Sequence, residues 1–298
     1  MPNTINYVVQ FSNVLRELYG QDLISDDLFH SNEDIQIING KQLKIPTLGV
    51  SGYKDHTRAG DFNSGTYEND FQLVTLDHDR DIEFAVDPMD VDETNQVLTV
   101  ANIQKRFEKT QAIPELDSYT FSKLYAEAVR AGVTVNTTAP TVANVLGLLD
   151  ADMAALKDKG VPLSRCILYC TVDFNNTLKN AQGIQREMLV TGGANRVDRR
   201  VISLDDIGMI KEVPSDRFMT AYNFTNGCVA ATGAKQINYI LVDPEAQVSR
   251  VKHAYIHLFA PGSDSRTSDR YIYQNRRYNG TFGIDELITK GCRINAAS

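Results

Sequence analysis

The stretch FQLVTLDHDRDIEFAVDPMDVDETNQVLTVANIQKRF, from Phe71 to Phe107, constrains the fold of this chain more than any other. Leu73 and Thr75, then Ile82, Phe84 and Val86, recur at every second position, the period of a half-buried strand rather than of a helix. An acidic corner follows at Asp87-Pro88. Asp90 and Glu93 have the spacing of an N-cap and its N3 partner, and Asp92 favours the positive end of a helix dipole, so a helix is expected to begin near Val91. Val97, Val100, Ala101, Ile103 and Phe107 then share one side at about 100° per residue, while Asn95, Lys105, Arg106 and Lys109 face elsewhere.

Upstream, Val8, Phe11, Val14, Leu15 and Leu18 stand at helical spacing, and Gly20 would end that helix. Gln21 to Asp34 is acidic with few apolar anchors, and is expected to lie extended over a neighbour or to be mobile. Asn39-Gly40 between Ile35, Ile37 and Leu43, Ile45 predicts a two-residue hairpin turn. From Pro46 to Asp70 no strand or helix period is sustained among four glycines and many polar residues. A connection of that length is usually functional or disordered.

Downstream, Pro114 is expected to break the chain and Asp117 to cap a second helix carrying Phe121, Leu124, Tyr125, Ala128 and Val129, closed by Gly132. Val142, Val145, Leu146, Leu149, Met153 and Leu156 mark a third, ended by Gly160-Val161-Pro162. A strand over Arg165 to Val172 follows, then a short helix capped by Asp173. Further strands are expected at Val201 to Leu204, Gly208 to Val213 and Ile237 to Val242, and a pair at Val251 to Phe259 and Arg270 to Tyr278. The fold class is α+β.

The 298 residues, 42% apolar and 23% charged, suit a soluble globular protein with room for two domains. No apolar run approaches the roughly 20 residues of a membrane span. Cys166, Cys170, Cys228 and Cys292 come without a secretory signal, so free thiols are expected. The net charge of −8 is uneven: residues 1 to 100 hold 18 acidic and 6 basic residues, and the remainder 20 and 24. Such a split either steers one copy onto another or is a solvated acidic face.

Motifs for chemistry are weak. Asp77, Asp79 and Asp81 alternate and so share a face, but the EF-hand glycine is missing because Ile82 follows. His253 and His257 lack the glutamate of a zinc helix and lie in a strand-like run. Gly192-Gly193 fits neither a phosphate loop nor a dinucleotide fingerprint. Arg196, Arg199, Arg200, Arg276 and Arg277 suit phosphate contacts or, preferably, salt bridges to the acidic part of another copy. No catalytic residue, cofactor or metal site emerges.

The strings LDHDRDIEFAVDPMDVDETN, VANIQKRF and PELDSYTFSKL resemble the major capsid proteins of tailed bacteriophages, most specifically over about Ile35 to Gly132. The resemblance implies the Hong Kong 97-type fold: an N-terminal arm (1–34), an extended E-loop with flanking strands (35–86), a peripheral domain with a spine helix (87–135), an axial domain (136–250) and a return to the peripheral domain (251–298), its last strands against the spine helix. It implies pentamers and hexamers forming an icosahedral head around double-stranded DNA, a separate scaffolding protein and portal, assembly in the host cytoplasm, and a place in the virion. On this reading Lys54, Asp55, His56, Arg58 and Asp61 at the loop tip, with Asp77, Asp79 and Asp81, contact other copies. The alternatives are an encapsulin-like compartment shell and a metal-dependent hydrolase centred on Asp77 to Asp92.

Overall fold

A computed structural model describes residues 23–30, 42–56, 62–93, 100–181, 189–190, 197–198, 207–263 and 268–298. The expected helix at Val8 to Leu18, the Asn39-Gly40 turn, Val97, Gly192-Gly193, the strand at Val201 to Leu204, and Arg58, Asp61, Arg196, Arg199 and Arg200 lie outside the described residues. In chain order the elements are α1 (Asp26–Phe29), β1 (Gln42–Val50), β2 (Tyr67–Thr75), β3 (His78–Val86), α2 (Pro88–Glu93), α3 (Val100–Phe107), a π-helical turn (Glu108–Ala112), α4 (Ile113–Arg130), β4 (Val135–Asn136), α5 (Val145–Asp158), β5 (Ile167–Thr171), α6 (Val172–Lys179), β6 (Leu189–Val190), β7 (Val197–Asp198), β8 (Met209–Val213), β9 (Tyr222–Asn223), β10 (Val229–Ala230), β11 (Ile237–Val242), β12 (Gln247–Phe259), β13 (Tyr271–Gly283), α7 (Asp285–Gly291) and β14 (Cys292–Ala296). The α+β class expected from the pattern is present.

Two sheets organise the body. One has the order β4-β14-β11-β5-β8, the other β12-β13-β3. β5 (ILYCT) is buried at every position because the five-stranded sheet is covered on both faces, which accounts for its unbroken apolar run. On one face Phe121, Leu124 and Ala128 of α4 pack with Tyr169, Ile240 and Ile294. On the other, Val145, Leu149, Met153 and Leu156 of α5 and Phe174 of α6 pack with Leu168, Cys170 and Tyr239. Cys166 and Cys170 share this second cluster, and all four cysteines are free.

Several local expectations are corrected. Pro114 does not break the chain: α3, the π turn and α4 run on as one helix from Val100 to Arg130. The wide turn precedes Pro114, where a missing N–H and a bulky ring would strain an ordinary helical turn. Asp117 therefore caps nothing. It is fully buried and accepts from Ser25 N (3.0 Å), Ser25 Oγ (2.8 Å), Ile24 N (3.5 Å) and Arg217 Nη1 (3.3 Å). Those bonds fasten residues 23–30 to the body, with Leu23 and Leu28 buried, so this part of the Gln21 to Asp34 segment packs on its own chain rather than lying extended over a neighbour.

Capping moved as well. Asp87 Oδ1 accepts from Met89 N at 2.9 Å and α2 starts at Pro88, one turn before Val91, because proline suits the first helical position. Thr171 Oγ1, rather than Asp173, accepts from Phe174 N at 3.2 Å and caps α6. Gly160 ends α5 with φ +78°, a backbone state that costs glycine least. The strand pair β12–β13 is longer than expected, 13 residues each, with a bulge between Val251 and His253. β14 joins β11 and β4 in the five-stranded sheet and meets α4 through their shared core.

Candidate functional site: an exposed ribbon and an acidic strand

The span from Pro46 to Asp70, read from sequence as irregular, is strand at its two ends, up to Val50 and again from Tyr67, and is not strand at 51–56 and 62–66. β1 and β2 pair antiparallel from Gln42↔Thr75 to Val50↔Tyr67 as a two-stranded ribbon. Alternation was hidden because Pro46, Gly49 and the acidic residues interrupt it, and because neither face of the outer half is buried by this chain's described residues. Residues opposed across a ladder share a face, so Leu48, Val50, Tyr67, Phe71 and Leu73 line one side. Thr47, Gly49, Glu68, Asp70 and Gln72 line the other.

Among the described residues, only the base of the ribbon is seated. Ile45 and Val74 pack with Val248, Phe282 and Ile284. The Gln72 amide donates to Gly283 O at 2.7 Å and Asp285 Oδ1 at 2.9 Å, and accepts from Asp285 N at 3.1 Å. Farther out, Val50, Phe62 and Tyr67 are 74%, 95% and 82% exposed. From Ile45 to Val50, at about 3.3 Å per residue, the ribbon runs roughly 17 Å. The tip is braced by polar contacts: Lys54 Nζ donates to Ser64 O at 3.2 Å and Asn63 Nδ2 to Asp55 O at 2.8 Å, while the His56 and Phe62 rings lie 6.0 Å apart. An isolated two-stranded ribbon with an apolar face is marginal in water, and exposed apolar patches mark contact surfaces.

Asp79 and Asp81 lie on the exposed side of β3, as the alternation predicted, and Asp77 just precedes it. Their partners are within the chain. Asp77 accepts from Tyr119 OH at 2.7 Å and pairs with Lys123 at 2.8 Å. Burial works to raise its carboxyl pKa, but the bonds from Lys123 and Tyr119 outweigh it and leave it below the usual carboxylate value. Arg276 grips Asp79 with two bonds, at 3.0 and 2.7 Å, and stands opposite Asp81 in register. Among the described residues no three His, Cys, Asp or Glu side chains gather as a metal site.

Arg276 and Arg277, expected to pair with another copy, have partners within this chain, Arg276 on Asp79. Arg277 Nη2 meets Glu108 Oε2 at 2.8 Å beneath the three-stranded sheet, and Glu108 Oε1 also accepts from Asn275 at 2.6 Å. His253 and His257 lie in strand β12, where His257 packs edge-on to Phe259 at 4.3 Å. Another histidine, His78 at the start of β3, carries no mark in the sequence. His78 is buried, stacked on Tyr119 at 4.0 Å and met by Phe224 at 5.0 Å, with Glu115 Oε1 at 3.5 Å. Burial, then the Arg80 charge, lower its pKa to about 4. No described helix is long and apolar enough to cross a membrane.

No protein-family model and no curated protein matches the chain. Solved structures do. The asymmetric unit of the bacteriophage PhiM1 mature capsid is 13% identical over 87% of this chain and 82% of that one, with a TM-score of 0.62. The capsid structure of cyanophage P-SCSP1u is 14% identical over 88% and 85%, with a TM-score of 0.60. A structure of Mycobacterium phage Che8 is 14% identical over 86% and 85%, with a TM-score of 0.57. Identity this low speaks to architecture alone, and on that level the chain has the α+β Hong Kong 97-type fold of phage capsid structures.

Proposed function

We propose that this chain is the major capsid protein of a tailed phage, a subunit that assembles with its own copies into pentamers and hexamers and forms the head shell around double-stranded DNA. The observation that carries the reading is the uncovered apolar face of the ribbon. Burying Leu48, Val50, Tyr67 and Phe71 on a neighbour is worth roughly 1.5–3 kcal/mol each, about 6–12 kcal/mol in all. Association itself costs about 4–15 kcal/mol. One ribbon therefore holds a pair weakly, and a closed ring in which every ribbon is seated holds far better, as expected of a heterologous contact that closes.

In this reading residues 1–34 form the arm, 35–86 the E-loop with its flanking strands, 87–135 and 251–298 the peripheral domain and 136–250 the axial domain, with β14 shared between the last two. Lys54, Asp55 and His56 at the tip touch a neighbour, joined by Arg58 and Asp61. Asp77, Asp79 and Asp81 contribute less, because Lys123 and Arg276 already occupy the first two. The shell's place is the virion, and it needs no reaction and no cofactor. A scaffolding protein, a portal and non-specific contact with packaged DNA complete the proposal.

The test replaces Leu48, Val50 and Tyr67 together by threonine. Circular dichroism and melting temperature should match the parent, while closed shells, abundant for the parent with its scaffold in electron micrographs, should disappear. A parent that never associates, or a triple variant that builds shells equally well, overturns the proposal.

A further inference from the structure

Among the described residues strand β3 is the outermost of the order β12-β13-β3, with β13 on one side only. Beside it lies a cleft of about 510 Å³, a size typical of ligand sites, bounded by β3 from His78 to Ile82, by Phe84, Phe107 and Leu116, and by the turn at Gly227. Arg80, Ile82 and Phe84 are half-buried on the helix side of β3, whereas Asp79, Asp81 and Glu83 are exposed on the other. Asn279 lines the same cleft at 4% exposure, and its amide oxygen has no hydrogen-bond partner among the described residues. A buried acceptor left so costs about 1–3 kcal/mol, which an incoming N–H would recover.

A chain laid along β3 would alternate between two environments. One set of side chains would meet the apolar floor of Ile82, Phe84, Phe107 and Leu116. The other would lie beside Asp79, Asp81 and Glu83, which face Arg276 as their only cation on β13. Arg276 already answers Asp79, so the row calls for added positive charge beside Asp81 and Glu83, two positions apart. The alternations this chain does hold, Leu43-Lys44-Ile45 and Arg250-Val251-Lys252, are already bonded into β1 and β12, so a second copy does not offer them as a free strand.

We propose that β3 and its cleft receive an extended segment of a different protein, added as a fourth strand and bearing apolar and cationic residues in alternation. Main-chain bonds to the open edge supply affinity, and the two faces supply selectivity. The probe is a short peptide of alternating lysine and valine, added to the full unassembled chain. Hydrogen exchange should slow at the β3 amides from Asp81 to Val86, fluorescence anisotropy should report binding, and Asp81→Lys, folded by circular dichroism, should weaken it at least tenfold. A glutamate–valine peptide should not bind. Equal binding by the acidic peptide, no loss on Asp81→Lys, no protection of β3, or protection of β3 in shells of this chain alone would each overturn the assignment, the last by naming a second copy as the occupant.

Discussion

His78 shows how much one buried side chain sets. It stays neutral where it sits, its pKa lowered from 6.5 to about 4 by burial and by Arg80. The unfolded chain takes up a proton on this histidine between those values and the folded chain does not, so stability is full above about pH 6.5 and falls as the pH drops towards 4. The cost at the acid end is roughly 3 kcal/mol, from about 1.4 kcal/mol per unit. Replacing His78 by glutamine should flatten that window: urea midpoints measured from pH 7 to pH 4 should fall less steeply than for the parent, and an unchanged slope would assign the loss to other groups. Nothing in the sequence marks this histidine as different from His253 or His257, because its burial depends on Tyr119 and Phe224, far away along the chain.

At the level of elements, sequence period was a better guide than sequence punctuation. The stripes of α4 and α5 and the alternation of β3, β12 and β13 were legible because each presents one face to a core and the pattern survives in the residues. Caps and breaks were not. Asp173 and Asp90 have the right chemistry for caps, but Thr171 holds the extended backbone position that precedes its helix, and Asp87 accepts from Met89 N at the start of α2. Thr171→Val should therefore cost about 1 kcal/mol in a denaturation experiment, whereas Asp173→Ala should cost only a few tenths. The reverse order would restore Asp173 as the cap. Pro114 misled for a similar reason: a proline ends an ordinary helix, but five residues of wider turn ahead of it let the rod continue. The ribbon was the least visible element, since strands with no core of their own leave no hydrophobic period to read.

Across the whole molecule, the charge imbalance between the first hundred residues and the rest is partly settled inside one subunit. Asp27 pairs with Lys211, Asp77 with Lys123 and Asp79 with Arg276. What remains is a net −8 on every copy, so copies repel, and added salt should speed association followed by light scattering. Slower association at higher salt would mean that opposite charges on neighbouring copies do the steering. The π turn matters on this scale too. Glu108, the first residue of the turn, is held beneath the three-stranded sheet by Arg277 and Asn275, while Phe121, Leu124 and Ala128 after it sit in the core of the five-stranded sheet. Each helical residue turns the side chains by about 100°. Take one residue out of that wide turn and the two ends of the rod come out of phase, so that seating either end swings the other off its sheet: the surplus residue is the joint that lets one straight strut brace two layers at once.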